Sequence, residues 1–154
     1  MLLNPEIQSS IKKCVLCWLA TASADGQPNV SPKEVFCTEG DSHLLIANIA
    51  SPNSLRNIRQ NPLVCVSLVD IFVQKGWKLY GSAEIIENVH PNFESWHAPL
   101  YTIAGPDFPI LSVLRVTVTR TAAIIAPGYY MRAQTTEASQ IASAMESYGV
   151  HPRA

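Results

Sequence analysis

The sequence predicts a mainly β domain with short helices, built on a six-stranded antiparallel sheet that closes into a small barrel. Apolar and polar residues alternate from Trp77 to Ile86, a period typical of a strand with one buried face. Asp25-Gly26 lies between two apolar runs and is a hairpin signal, because tight hairpins require positive φ. Short connections imply antiparallel pairing, and closure of such a sheet removes its exposed edges.

The remaining elements follow from apolar runs bounded by turn residues. Six strands are predicted, at Val15–Ala22, Asn29–Phe36, His43–Asn48, Leu63–Val69, Trp77–Ile86 and Leu111–Ile125. Short helices are also predicted, beginning at Asn4-Pro5, Ser51-Pro52, Phe93 and Thr136. Pro32 makes the second strand an edge strand or a bulged one. A turn is expected near Lys75-Gly76, and Gly81 indicates that something approaches the fifth strand closely.

The composition bounds the classes of function. A length of 154 residues suits one domain over residues 1–154, and 47% hydrophobic residues are enough for a core. Only 15% of residues are charged, which favours a surface partly covered in a homo-oligomer. The net charge of −1 and the lack of basic runs argue against nucleic acid and membrane surfaces as partners. Without an apolar span or signal-peptide core, a soluble cytoplasmic protein is expected.

The cysteines and histidines do not predict a metal site. Cys14 and Cys17 have the C-x-x-C spacing, but no second such pair and no paired histidines would complete four zinc ligands. The motif also lies inside an apolar stretch, so cysteines acting as small buried hydrophobic residues are the favoured interpretation. No Ser-His-Asp or Cys-His arrangement can be defended, and the catalytic residues are left unassigned.

The segment Ser51-Pro52-Asn53-Ser54 predicts an anion site between two buried strands. Ser51 suits the N-cap and Pro52 the first helical position, so a helix begins here. The first turn of a helix carries unpaired N–H groups, and two hydroxyls and an amide side chain are close to them in sequence. A phosphate held beside a sheet is the simplest function for this arrangement.

Three stretches of this chain resemble the FMN-binding split-barrel proteins, the pyridoxamine 5′-phosphate oxidase-like group. The matching stretches are LATASADGQPNVSPKEVF, LLIANIASPNSLRNIRQNPLVCVSL and KGWKLYGSAEII. Together they extend from Leu19 to Ile86. The ordered features are a Gly-x-Pro hairpin, a strand ending in Asn, a Ser-led helix and an Asn-Pro before the next strand.

The resemblance implies a six-stranded antiparallel split β-barrel, a homodimer, and FMN bound in a groove at the dimer interface. Lys33 is then the basic residue that reaches the phosphate or the ring, and the Ser-led helix start holds the phosphate. The cofactor-binding residues implied are Ser31, Lys33, Glu34, Ile46, Ala47, Asn48, Ser51, Asn53, Ser54, Lys75 and Gly76. Trp77 is expected in the core and not against the flavin.

One departure from the family pattern limits the activity that we predict. Pyridoxamine phosphate oxidases carry Ser-Arg-Lys at this helix start, where the present chain has Ser51-Pro52-Asn53. Neutral donors bind phosphate less tightly than charged ones, so oxidation of pyridoxamine phosphate is not predicted. The expected function is an FMN-dependent oxidoreductase acting on an unknown small substrate. The alternatives are a flavin-binding module without turnover, and a split barrel that binds haem or a deazaflavin or serves as a scaffold.

Overall fold

A computed structural model describes residues 1–153 of the chain. Within these residues the helices are α1 (Pro5–Lys13), α2 (Pro52–Gln60), α3 (Phe93–Ala104), α4 (Gly128–Met131) and α5 (Glu137–Tyr148). The strands are β1 (Cys17–Ala22), β2 (Pro28–Lys33), β3 (Phe36–Glu39), β4 (His43–Asn48), β5 (Leu63–Asp70), β6 (Lys75–Ile86) and β7 (Ser112–Ile125). All ladders are antiparallel, in the order β2-β1-β5-β6-β7-β4-β3. The predicted class, a curled antiparallel sheet with short helices, is confirmed.

The described chain has seven strands and not six, because the predicted strand Asn29–Phe36 is two strands. β2 ends at Lys33 on one edge of the sheet, and β3 begins at Phe36 on the opposite edge. Pro32 lies on the edge strand, where its missing N–H costs no ladder bond. No glycine or turn motif marks the crossing; its one trace in the sequence is a break in the alternation, where the polar pair Lys33-Glu34 is followed by the apolar pair Val35-Phe36.

Two apolar clusters lie on the two faces of the sheet. The larger cluster fills the concave interior, and its fully buried members include Leu19, Leu44, Ile46, Val66, Leu79, Leu114 and Val116. Helix α1 adds Ile7 and Ile11 to this cluster. The smaller cluster places Phe93 and Leu100 of α3 against Leu45 and Ala47 of β4. Helix α3 is therefore attached to the outer side of β4.

The helix starts are at the predicted residues. Asn4 caps α1 by accepting a hydrogen bond from the N–H of Ile7 at 2.9 Å. Thr136 caps α5 in a reciprocal arrangement with Ser139, and Gly149 ends the helix at φ 65°. Ser51 is in the N-cap position of α2, but its hydroxyl does not cap the helix. The side-chain cap predicted for Ser51 is therefore wrong.

The connection between β5 and β6 turns earlier than predicted. The turn comprises residues 71–74, and Lys75 already pairs with Asp70 in the ladder. Asp70 Oδ1 accepts hydrogen bonds from the N–H groups of Phe72 and Val73, at 3.0 and 3.1 Å. An aspartate whose side chain bonds the backbone two residues later nucleates a turn, so Asp70 was the missed signal. The turn predicted near Lys75-Gly76 lies directly before Lys75.

Gly81 confirms the close approach expected at the fifth predicted strand. A Cβ built on Gly81 would collide with the backbone carbonyl of Thr117 in β7. The β6–β7 register shifts between Tyr80 and Gly81, so the two backbones draw together at a bulge. Gly76 is similarly enclosed, by the carbonyl of Leu68 in β5.

Among residues 1–153, no helix combines the length and the apolar character needed to cross a bilayer.

Candidate cofactor site

A cavity of about 470 Å³ lies where the β2–β3 connection, the end of β4, the start of α2 and the end of α3 meet. Its walls are mostly apolar, and its lining comprises Val15, Pro32, Lys33, Glu34, Val35, Ala47, Ile49, Ala50, Ser51, Ile103, Ala104 and Phe108. A mainly apolar cavity with few polar groups is typical of sites for small ligands and cofactors. The predicted site residues Lys33, Glu34, Ala47 and Ser51 are brought together here.

Lys33 is the buried cation of this cavity. Lys33 is only 7% exposed, and its Nζ donates a hydrogen bond to Ser51 Oγ. Among the described residues, no carboxylate lies within ion-pairing distance of this ammonium. Burial lowers the pKa of Lys33 from its ordinary value, and Cys17 on the adjacent strand partly opposes the shift. The described chain therefore gives this buried ammonium a hydroxyl partner but no counter-charge.

The start of α2 supplies backbone donors beside Lys33. Pro52 has no N–H, and the N–H groups of Asn53 and Ser54 have no acceptor in the part of the chain that the structure describes. The N-terminus of a helix carries partial positive charge and binds anions through such groups. Because Ser51 immediately precedes this turn and contacts Lys33, a hydroxyl, an ammonium and helix amides converge on one region.

Lys33 gives the stability of the protein a specific pH dependence. Its pKa in the folded protein is below its ordinary value of 10.5, so between these two values the unfolded chain holds the extra proton. The free energy of unfolding should therefore rise with pH across that window. Denaturant unfolding of the wild type and of Lys33→Met at a series of pH values measures this, and the difference between them should shrink as pH rises. A difference that is constant with pH would contradict the lowered pKa.

Other predicted site residues on β4 and β2 point elsewhere. Ile46 is fully buried in the interior cluster and does not line the cavity. Asn48 is 2% exposed and donates to Ser112 Oγ at 3.0 Å, while its Oδ1 has no hydrogen-bond partner among the described residues. Ser31 is half-buried on the edge strand opposite Leu19, outside the lining of the cavity. The cofactor roles predicted for these residues stay predictions.

The polar residues of the α2 start divide between the interior and a second groove. Asn53 is exposed and lines a groove of about 300 Å³ together with Arg56 and Asn57. Ser54 is 1% exposed, and its Oγ accepts a long hydrogen bond from Asn29 Nδ2 at 3.5 Å. The side chains of these residues thus lie apart from Lys33, although their backbone amides follow closely after Ser51, its hydrogen-bond partner.

Lys75 and Gly76 lie in a different cavity, of about 420 Å³, between α1, the β5–β6 turn and α5. Lys75 Nζ is paired with Glu137 Oε1 at 2.8 Å and lies over the ring of Tyr129, 4.5 Å from its centroid. A single copy of the chain therefore does not bring Lys75 and Gly76 to the cavity of Lys33.

The sequence interpretation missed the apolar walls of the main cavity. Val15 belongs to the connection between α1 and β1, Ile103 to the end of α3, and Phe108 to the connection that follows α3. These residues carry no motif, and their place in the site depends on where α3 packs.

The cysteines behave only partly as predicted. All four are free thiols, and Cys17 is fully buried, whereas Cys14, Cys37 and Cys65 are half-buried. Burial raises the pKa of each thiol, to about 12 for Cys17. Residues 1–153 contain no cluster of histidine, cysteine and acidic side chains that could hold a metal ion.

The fold and the cavity define a class: curled antiparallel barrels with a cavity that places a buried lysine beside the start of a helix. The sequence model of the pyridoxamine 5′-phosphate oxidase family matches residues 3–124, which is most of the chain. The chain belongs to this family, and the resemblance identified from the sequence is confirmed. No curated protein matches the sequence.

Solved structures with the same fold include proteins that are described with different functions. HupZ of Group A Streptococcus is 22% identical, with a TM-score of 0.68, covering 80% of this chain and 94% of that protein. An FMN-binding protein of Syntrophomonas wolfei is 16% identical, with a TM-score of 0.65 and coverage of 79% and 85%. The haem storage protein HutZ of Vibrio cholerae is 23% identical, with a TM-score of 0.59 and coverage of 81% and 95%. At these identities the similarity shows the fold alone.

Proposed function

We propose that this protein binds FMN in the main cavity and acts as an oxidoreductase on a small molecule. The observation that carries the proposal is the buried ammonium of Lys33, which faces Ser51 at a helix start and lacks a carboxylate partner. A phosphate monoester supplies the missing negative charge. The family membership supports the same assignment.

The residues of the cavity fit both ends of FMN. Lys33 and the hydroxyl of Ser51 donate to the phosphate, and the free N–H groups of Asn53 and Ser54 add helix-end donors. The apolar walls formed by Val35, Ala47 and their neighbours accept a flat ring and exclude water from it. When bound, FMN supplies the capacity for hydride or electron transfer, while the chain binds, orients and shields it.

We also propose that the functional unit is a homodimer. Val15, Trp18 and Ile71 line one groove and are 79%, 45% and 49% exposed, and a contiguous exposed apolar patch of this kind marks an interaction surface. A second copy would bring its own Lys75 and Gly76 toward the flavin, which accounts for their distance from Lys33 within one chain. The low fraction of charged residues supports the same arrangement.

Binding of FMN is tested with the purified protein. The wild type should take up added FMN, show the flavin absorbance bands after desalting, and release FMN on denaturation. A protein that stays colourless after incubation with excess FMN would refute the proposal. Addition of a reduced nicotinamide cofactor then separates two functions: bleaching of the flavin bands supports an oxidoreductase, and their persistence supports a flavin-binding module.

Haem and a deazaflavin are the competing ligands, and the lining of the cavity favours a flavin over haem. Among the described lining residues there is no histidine, cysteine, methionine or tyrosine, the side chains that usually ligate haem iron. HutZ, a haem storage protein with the same fold, makes haem the direct comparison. Native mass spectrometry of the protein as purified identifies which ligand is retained, and a haem mass without a flavin mass would overturn the proposal.

A further inference from the structure

We infer that residues 105–109 form a cover that closes over the cavity and brings Phe108 into contact with the ring of the bound ligand. The inference rests on the proposed function, because the flat ring is that of FMN. It adds a lining residue from the connection that follows α3, and it assigns that residue a separate part in recognition. Lys33 would recognise the phosphate, and Phe108 the ring.

The rim of the cavity exposes apolar side chains that a ligand would cover. Phe108 is 56% exposed and Ile103 is 51% exposed, and both line the cavity. Burial of apolar surface is favourable in proportion to its area, so contact with a flat ring stabilises a closed position of this rim. An aromatic ring adds favourable stacking geometry to that burial.

The segment that carries Phe108 is held only at its two ends. Pro106 and Asp107 form a turn, and residues 106–110 make no hydrogen bond to other parts of the described chain; Pro106 and Pro109 have no N–H to donate. Gly105 ends α3 at φ 77°, a conformation that favours glycine. The chain rejoins the sheet at Leu111, whose N–H donates to the carbonyl of Asn48 at 2.9 Å. An exposed segment with so few contacts opens at low free energy.

The base of α3 is fixed, so movement is confined to its end. Trp96 Nε1 donates to Glu39 Oε1 at 2.9 Å, and Arg115 Nε donates to Glu39 Oε2 at 2.9 Å. Arg115 also lies over the Trp96 ring, 4.7 Å from its centroid. Pro99 then removes one hydrogen bond from the helix ladder between this anchored base and the part that lines the cavity.

The contributions of the ring and of the phosphate to the binding affinity can be measured separately. FMN and riboflavin share the ring, and only FMN carries the phosphate. Loss of the Phe108 contact should therefore weaken both ligands equally, whereas loss of Lys33 should weaken FMN alone. Leu111 provides a matched control, because it is 65% exposed and close in sequence but does not line the cavity.

The test titrates wild type, Phe108→Ala and Leu111→Ala with FMN and with riboflavin, following quenching of flavin fluorescence. For Phe108→Ala the Kd of both ligands should rise about tenfold, the loss expected for one aromatic contact, with the ratio of the two unchanged. Leu111→Ala should leave both values within about twofold of wild type. Hydrogen exchange of the Asp107, Phe108 and Ile110 amides should slow when FMN is saturating.

The outcomes distinguish the cover from the proposed function. A wild type that binds neither flavin refutes both. A wild type that binds FMN, with Phe108→Ala unchanged for both ligands or weakened for FMN alone, refutes the cover and leaves the proposed function intact. The cover is also refuted if sedimentation shows that Phe108→Ala dissociates a dimer and this accounts for the weakened binding, or if amide exchange is unaffected by FMN.

Discussion

Replacement of Lys33 by methionine should weaken FMN binding by about thirtyfold while making the protein without ligand more stable. A hydrogen bond from an ammonium to a phosphate contributes about 2 kcal/mol, which is roughly a thirtyfold change in Kd. In the absence of an anion the same ammonium is 7% exposed and unpaired by carboxylate, so an apolar side chain should raise the free energy of unfolding by about 1 kcal/mol. Fluorescence titration and denaturant unfolding measure the two effects.

A loss of FMN affinity together with a gain in stability would not be expected from a general disruption of the fold, so the two measurements together test the role of Lys33. Riboflavin affinity should be nearly unchanged in Lys33→Met, because riboflavin has no phosphate. Lys78→Met, which removes an exposed lysine from β6, is the matched control and should alter neither property. If Lys33→Met weakened FMN and riboflavin equally, Lys33 would contact the ring and the phosphate would be held elsewhere.

Replacement of Gly81 by alanine should be among the most destabilising small changes in the chain. The added Cβ meets the carbonyl of Thr117 and then the Cα of Val118, which are backbone atoms of β7 that cannot rotate away. Overpacking of this kind costs about 3 kcal/mol, which for a chain of this size lowers Tm by roughly 6–12 °C. Thermal unfolding followed by circular dichroism measures the loss.

Gly128→Ala is the same substitution in an open position and should have the opposite sign. The atoms nearest to its Cβ are side-chain atoms of Gln140 and Thr135, at 3.6 Å and beyond, so no backbone has to move. Alanine in the first turn of α4 should stabilise the protein by about 0.5 kcal/mol, because it restricts the unfolded chain. A Gly81→Ala variant that is as stable as the wild type would show that the β6–β7 bulge relaxes to accept the added Cβ.

The fold was largely predictable because its signals are local. Alternation over β6, Asp-Gly at the first hairpin and the Ser-Pro start of α2 each report the structure of a few adjacent residues. The error at residues 29–36 has a different origin. Only tertiary packing determines that Lys33 ends one edge strand while Phe36 begins the other, and no local propensity marks the crossing between them.

Residues of the cavity could be predicted from the sequence only where they belong to a recognisable motif. Lys33 and Ser51 follow from the resemblance, and the structure brings them together as hydrogen-bond partners. Ile103 and Phe108 could not be found from the sequence, because they reach the cavity through the packing of α3 on β4. Lys75 was placed beside the same ligand, and within one chain it is paired with Glu137 instead.

The two opposite margins of the sheet are joined by only Glu34 and Val35, and both residues also line the cavity. The carbonyl of Val35 accepts a hydrogen bond from the N–H of Ala47, and this bond attaches the connection to β4. A ligand bound in the cavity would contact the end of β2, this connection and β4 at once, and would therefore oppose their separation on unfolding. At a free ligand concentration of about a hundred times Kd, such binding would raise the free energy of unfolding by about 2.7 kcal/mol.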